Sequence, residues 1–157
     1  MEFQTDIFAQ FHRRWALFTA GTPADYNTMT ISWGGMGTLW GKPVVTVYVK
    51  PIRHTYGYME RSGFFTVSFY PEACRNDLLT LGTKSGRDGD KVALTGLTPR
   101  VLENGVTFAQ AETTLVCRKL YAQDLALEAM PREVAESVYA VEAPHRMYIG
   151  EVVEIVS

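Results

Sequence analysis

Apolar positions along the chain recur mainly in short alternating runs, set off by glycine, proline and polar clusters, which is the pattern of strands rather than of long helices. The first stretch, Asp6 to Arg14, departs from it and predicts a short amphipathic helix with Ile7, Phe8 and Phe11 on one side. Trp15 to Gly21 then reads as a strand closed by Gly21 and Pro23, and Thr28 to Ser32 as a second, β-branched strand. Gly34, Gly35, Gly37 and Gly41 predict an irregular loop. Val44 to Val49 is the clearest strand, with Val45, Val47 and Val49 on one face and Thr46 and Tyr48 on the other.

From Lys50 the pattern turns into a helix that stops at Gly63, and Phe64 to Tyr70 forms the next strand. Pro71 opens a helix through Leu81, and Gly82 to Lys91 is a polar, glycine-rich loop. Thr107 to Gln110 and Thr113 to Leu125 read as strands and antiparallel neighbours. A short helix from Pro131 and a long strand from Met147 to Val156 complete the chain. Six or more strands with short connections predict a mainly β fold with short helices, an antiparallel barrel that is closed or nearly so. With no linker, repeat or low-complexity segment, residues 1–157 form a single domain.

Composition narrows the function classes. A net charge of −2, with basic and acidic residues interspersed, offers no stripe for nucleic acid. No apolar run approaches the roughly 20 residues of a membrane span, and the amino terminus lacks a secretory apolar core. Cys74 and Cys117 stand far apart outside any CxxC pair, so reduced thiols and a cytoplasmic setting are expected. A redox role for Cys74 is set aside, since burial is the common fate of a free cysteine. The histidines and cysteines show no metal-ligand spacing, and no metal is expected.

Two nucleotide motifs fail. Gly35-Met36-Gly37 begins a GxGxxG, but Trp40 stands at the third glycine and a strand, not a helix, follows. Thr83-Lys84-Ser85 lacks the glycine that precedes a P-loop lysine. Pro51 to Thr55 is more informative: a strand end enters a helix, where free backbone N–H groups, the Arg53 guanidinium and the Thr55 hydroxyl suit a phosphate monoester. A surface arginine beside an ordinary helix cap would read the same way. Thr28, Thr30 and Ser32 alternate on one strand face opposite Met29 and Ile31, fitting either the edge of a flat polar ring or a solvated face. His145, ahead of Tyr148 and Gly150, is a candidate to neutralise or protonate a reducing cofactor near neutral pH, or a capping residue.

Four segments in this order carry a resemblance: Asn27 to Gly35, the junction from Val47 to Phe69, the loop from Gly82 to Lys91, and His145 to Val152. Together they resemble the flavin-reductase-like family of FMN-binding split barrels, which includes flavoredoxin and the reductase components of two-component monooxygenases. The resemblance implies that Arg53 and Thr55 hold the FMN phosphate and that Met29, Thr30, Ser32 and Trp33 line the isoalloxazine and ribityl chain. Lys84, Ser85 and Gly86 would add polar contacts, and His145 would stand near the flavin and the incoming nicotinamide. It further implies a homodimeric NAD(P)H-dependent flavin reductase, with NAD(P)H as transient donor and an electron-accepting protein as a partner. A flavoredoxin-type carrier without NAD(P)H activity and a non-catalytic ligand-binding module are the alternatives. The basic substrate motifs of the related pyridoxamine-phosphate oxidases are not evident. Arg87 and Lys91 are candidates for the extra phosphate of NADPH. Trp33, Met36, Leu39 and Trp40, gathered around the glycine-rich loop, supply the apolar surface a two-fold partner would cover.

Overall fold

The computed structural model describes residues 2–157. Nine strands follow in chain order: β1 (Ala16–Thr22), β2 (Asp25–Ile31), β3 (Gly34–Leu39), β4 (Lys42–Val49), β5 (Phe64–Phe69), β6 (Pro99–Leu102), β7 (Gly105–Phe108), β8 (Thr113–Asp124) and β9 (Arg146–Val156). Seven of them form one antiparallel sheet in the order β2-β1-β5-β8-β9-β4-β3, and β6 and β7 form a separate ribbon. The helices are short: α1 (Ile7–His12), α2 (His54–Arg61), α3 (Arg75–Thr83) and α4 (Arg132–Val138). Among the described residues no helix is long and apolar enough to cross a membrane.

The order of the large sheet dictates its shape. β2 and β3 lie at its two extremes, yet only Ser32 and Trp33 separate Ile31 from Gly34. So short a link spans at most ~10 Å, and the sheet has to curl until its two edges stand close together. They do not pair. The result is a split barrel, mainly antiparallel β, in which the sheet is not closed, and Ser32 and Trp33 sit at the seam.

Inside the curl, alternation along β4 buries Val45, Val47 and Val49 against Phe18, Phe65, Val67, Leu115 and Tyr148, as the sequence pattern requires. A second cluster, with Leu17, Leu78, Leu81, Leu97 and Phe108, seats α3 and the β6–β7 ribbon against the barrel.

Several local expectations change. The glycine cluster is not a loop: Gly34 to Leu39 is strand β3, paired from Gly34↔Val47 to Leu39↔Lys42. Its backbone supplies the ladder whatever the side chains, and a Cβ at Gly34 would stand 2.8 Å from the Phe11 ring, so this glycine serves close approach to α1. In α1, capped by the Asp6 carboxylate accepting from the Ala9 N–H at 3.2 Å, Phe11 is buried while Phe8 is 88% exposed, so the expected apolar side is only partly realised. The strand expected at Thr107 to Gln110 is β7, and its ladder partner is β6 rather than β8. β8 runs between β5 and β9 and touches β7 through the hydroxyls of Thr107 and Thr114, 2.6 Å apart. Proline at its first position and only four residues hid β6 from the pattern. Helix α3 continues to Thr83, past the expected end at Leu81, with the Lys84 N–H donating to the Thr80 carbonyl.

Candidate functional site

Two adjoining cavities open beside β2, next to the seam. The first, about 260 Å³, lies between β2, the start of α2 and the loop after α3; Met29, Thr30, Arg53, Thr55, Lys84, Ser85 and Gly86 all line it. The second, about 210 Å³, is lined by Met29 to Trp33, Tyr48, Lys50, Arg53 and His145. Met29, Thr30 and Arg53 belong to both, so they form one composite site with two ends. The fold thus brings Met29, Thr30, Ser32, Trp33, Arg53, Thr55, Lys84, Ser85, Gly86 and His145 around one composite site, while Thr28 lines neither end.

The first end is basic. Arg53, Lys84, Arg87 and Lys91 line it, and among the described residues none of the four has a carboxylate within ion-pair distance. Lys91 is 6% exposed, and its ammonium donates to the carbonyls of Leu81 at 3.0 Å and Lys84 at 3.2 Å. Burial, and then the charge of Arg53, lowers its pKa to about 8. A buried ammonium beside the exposed Arg53 guanidinium, with no acid paired to either among the described residues, is a setting for an anion. Helix α2 starts here with no side chain capping it, so its first N–H groups add to the positive end. Gly86 closes the wall: a Cβ there would meet Asn27 Oδ1 and stand 2.8 Å from a His54 ring carbon. The donor set and the glycine wall fit a phosphate monoester.

The hydroxyls are arranged differently from the expectation of a free row. Thr28 accepts from the Thr19 hydroxyl at 2.9 Å and donates its own proton to the Phe18 carbonyl at 3.3 Å. Thr30 donates to the Leu78 carbonyl, which fixes α3 against β2. Thr55 is buried and accepts from the Asn27 side-chain amide at 2.7 Å, which leaves its own proton to donate. Only Ser32, at the seam, remains as an uncommitted hydroxyl of that row. Ser85 accepts from the Arg87 N–H at 3.2 Å and so shapes its own loop, while the Arg87 guanidinium donates to the Ile52 carbonyl at 2.7 Å and ties that loop to the Arg53 turn.

The second end is aromatic, and Arg53, shared with the first, brings it a positive charge. Trp33 is 52% exposed, and its ring centroid lies 5.4 Å from that of the buried His145; Tyr48 and Tyr139 approach the same imidazole at 6.5 and 5.6 Å. The Tyr139 hydroxyl is 2.8 Å from His145 Nδ1. Lys50 is paired with Glu142 at 2.7 Å. Burial first, then the charges of Lys50 and Arg53, depress the His145 pKa to about 4 against a smaller opposing effect of Glu142. At neutral pH this shift favours the neutral imidazole, a hydrogen-bonding group rather than a charge.

The chain shares its architecture with known proteins. It matches the flavin reductase like domain over residues 8–157. The chain belongs to that family. No curated protein matches it. Among solved structures it is similar to flavoredoxin from Methanosarcina acetivorans, with 17% identity and a TM-score of 0.72 over 100% of this chain and 74% of that one. It is also similar to an FMN-binding protein from Thermus thermophilus with bound 1-cyclohex-2-enone, with 19% identity and a TM-score of 0.73 over 100% and 79%. The styrene monooxygenase flavin reductase from Pseudomonas putida S12 aligns at 17% identity and a TM-score of 0.67 over 91% and 78%. At such identities these likenesses speak for the shared fold.

In this flavin-reductase-like domain three residues at or beside the composite site take roles that the sequence does not reveal. Asn27 opens a sequence motif without a role of its own there, and in the fold its amide donates to Thr55. Lys91, in the sequence a candidate for the extra phosphate of NADPH, is the buried cation of the first cavity. Tyr139 carried no signal at all, because its meeting with His145 depends on how the segment after α4 folds back. Cys74 and Cys117 are buried, unpaired and line neither cavity; burial raises the pKa of both thiols.

Proposed function

We propose that the domain binds FMN, with its phosphate in the Arg53–Lys91 basin and its ring against the segment from Met29 to Trp33, and that it is an NAD(P)H-dependent flavin oxidoreductase. The observation that carries this reading is a basic end without any compensating carboxylate, opening directly into an aromatic end at the barrel seam. A bound flavin would supply the redox chemistry, with NAD(P)H as the hydride donor.

The chain's own residues bind and orient. Arg53, Lys84 and Lys91 neutralise the phosphate, with Lys91 held in place by two carbonyls. The Thr55 proton and the first N–H groups of α2 complete the donor set. Met29 and Thr30 line both ends and guide the ribityl chain between them. Trp33, partly open to solvent at the seam, lies where a transient nicotinamide would enter, in keeping with the absence of a Rossmann fingerprint in the sequence. His145 stays uncharged and contributes hydrogen bonding at the ring end. A homodimer in the cytoplasm, handing electrons to a protein or to released flavin, completes the proposal.

The test is a titration of the purified protein with FMN, followed by anaerobic addition of NADH and NADPH. Saturable binding and bleaching of the flavin band by a nicotinamide are expected, and Arg53→Ala should weaken FMN binding about ten- to hundredfold. Binding without any nicotinamide oxidation would favour a flavoredoxin-type carrier. A protein that takes up no FMN would overturn the flavin reading altogether.

A further inference from the structure

The segment that follows α4 returns to the barrel at the ring end, and it is fastened there twice. Glu142 accepts from Lys50 at 2.7 Å, and the Tyr139 hydroxyl meets His145 Nδ1 at 2.8 Å. His145 immediately precedes β9 and lines the second cavity. Among the described residues its Nε2 has no hydrogen-bond partner and is not sealed from solvent, which leaves it free to serve the cavity that His145 lines.

A phenol is a stronger hydrogen-bond donor than a neutral imidazole N–H, and an imidazole nitrogen is a stronger acceptor than a phenol oxygen. For an uncharged His145, Tyr139 is therefore the donor, Nδ1 the acceptor, and the single ring proton resides on Nε2. We infer that Tyr139 is a positioning residue: it holds His145 in one orientation and one tautomer, so that the ring end presents a fixed, neutral N–H donor. The inference deepens the flavin reading, and its value to that site rests on it. A neutral donor there can hydrogen-bond an acceptor on the ring edge without adding a second uncompensated charge beside Lys50 and Arg53. Among the described residues no other side chain is hydrogen-bonded to Nδ1: Trp33 and Tyr48 approach the imidazole ring to ring, and Glu142 is engaged by Lys50.

The test uses full-length protein labelled with ¹⁵N-histidine and read by two-bond proton–nitrogen correlation at pH 7, first without flavin. The His145 signals are identified by their loss in His145→Gln. Wild type should show a protonated Nε2 and an unprotonated, hydrogen-bonded Nδ1. In Tyr139→Phe the Nδ1 resonance should lose its hydrogen-bond shift, with the second tautomer becoming populated. Tyr139→Phe should also keep FMN affinity within about twofold, because the phosphate end is untouched, while kcat for NAD(P)H oxidation falls about three- to tenfold. In the His145→Gln background the same change should cause no further fall. A wild-type proton on Nδ1, an unchanged Nδ1 resonance in Tyr139→Phe, or an unchanged kcat in that variant would each overturn the inference. Failure of the flavin reading would show separately, as absence of FMN binding in wild type.

Discussion

The ammonium of Lys91 sits between two carbonyls and beside Arg53, with burial as the main reason that its pKa falls from an ordinary 10.5 to about 8. A phosphate prefers the charged form. Above about pH 8 the empty site loses that proton and binding has to restore it, so FMN affinity should decline by up to tenfold per pH unit there. Fluorescence titrations from pH 7 to 9.5 read this slope, and Lys91→Met should bind about ten- to hundredfold more weakly at pH 7 and be flat across the same window. The sign for folding follows from the same shift. Because the folded pKa lies below the unfolded one, the unfolded chain holds more protons between about 8 and 10.5, and the flavin-free protein gains stability from this group as pH rises through that range. Residue types were legible from sequence at this scale, since Arg53, Thr55, Lys84 and His145 all reach the site. Their partners were not: whether a hydroxyl or ammonium is free depends on what a distant segment sets against it, as Leu78 does for Thr30 and Leu81 for Lys91.

Among the elements, β9 links the core to the ring end. It begins at Arg146, directly after His145, and pairs with both β4 and β8. At its centre a Cβ on Gly150 would stand 2.6 Å from two carbons of the Phe65 ring and 2.9 Å from Cys117 Cβ, and both neighbours are fully packed. Gly150→Ala should therefore cost about 1–3 kcal/mol, measured by denaturant unfolding, as rigid core atoms are pushed apart. The long, β-branched runs of β4, β5, β8 and β9 announced themselves because burial on one face imposes a period of two. β3 did not. Its glycines carry no side-chain pattern, and its status as a strand comes from the ladder that β4 offers it.

For the whole molecule the decisive feature is the open seam. β3 ends the sheet with one edge unpaired, Gly35 and Gly37 leave clear space where side chains would stand, and Trp40 beyond them is 63% exposed. Exposed strand edges flanked by large aromatic rings are usually covered in a stable protein. We expect a two-fold dimer that covers this end, with sedimentation giving the mass of two chains and Trp40→Glu returning it to one. A wild-type protein that sediments as a single chain would remove the dimer from the proposal.

The amino-acid sequence by itself determined the mainly antiparallel β architecture, the faces of its long strands and the residue types at both ends of the site. Those features follow from short-range alternation and from chemistry carried on contiguous segments. The tertiary structure alone decided that the barrel stays split, that Lys91 rather than a surface lysine supplies the buried cation, and that Tyr139 meets His145. Each of these depends on segments distant along the chain being brought within hydrogen-bonding or charge range, and on how much water the resulting packing removes.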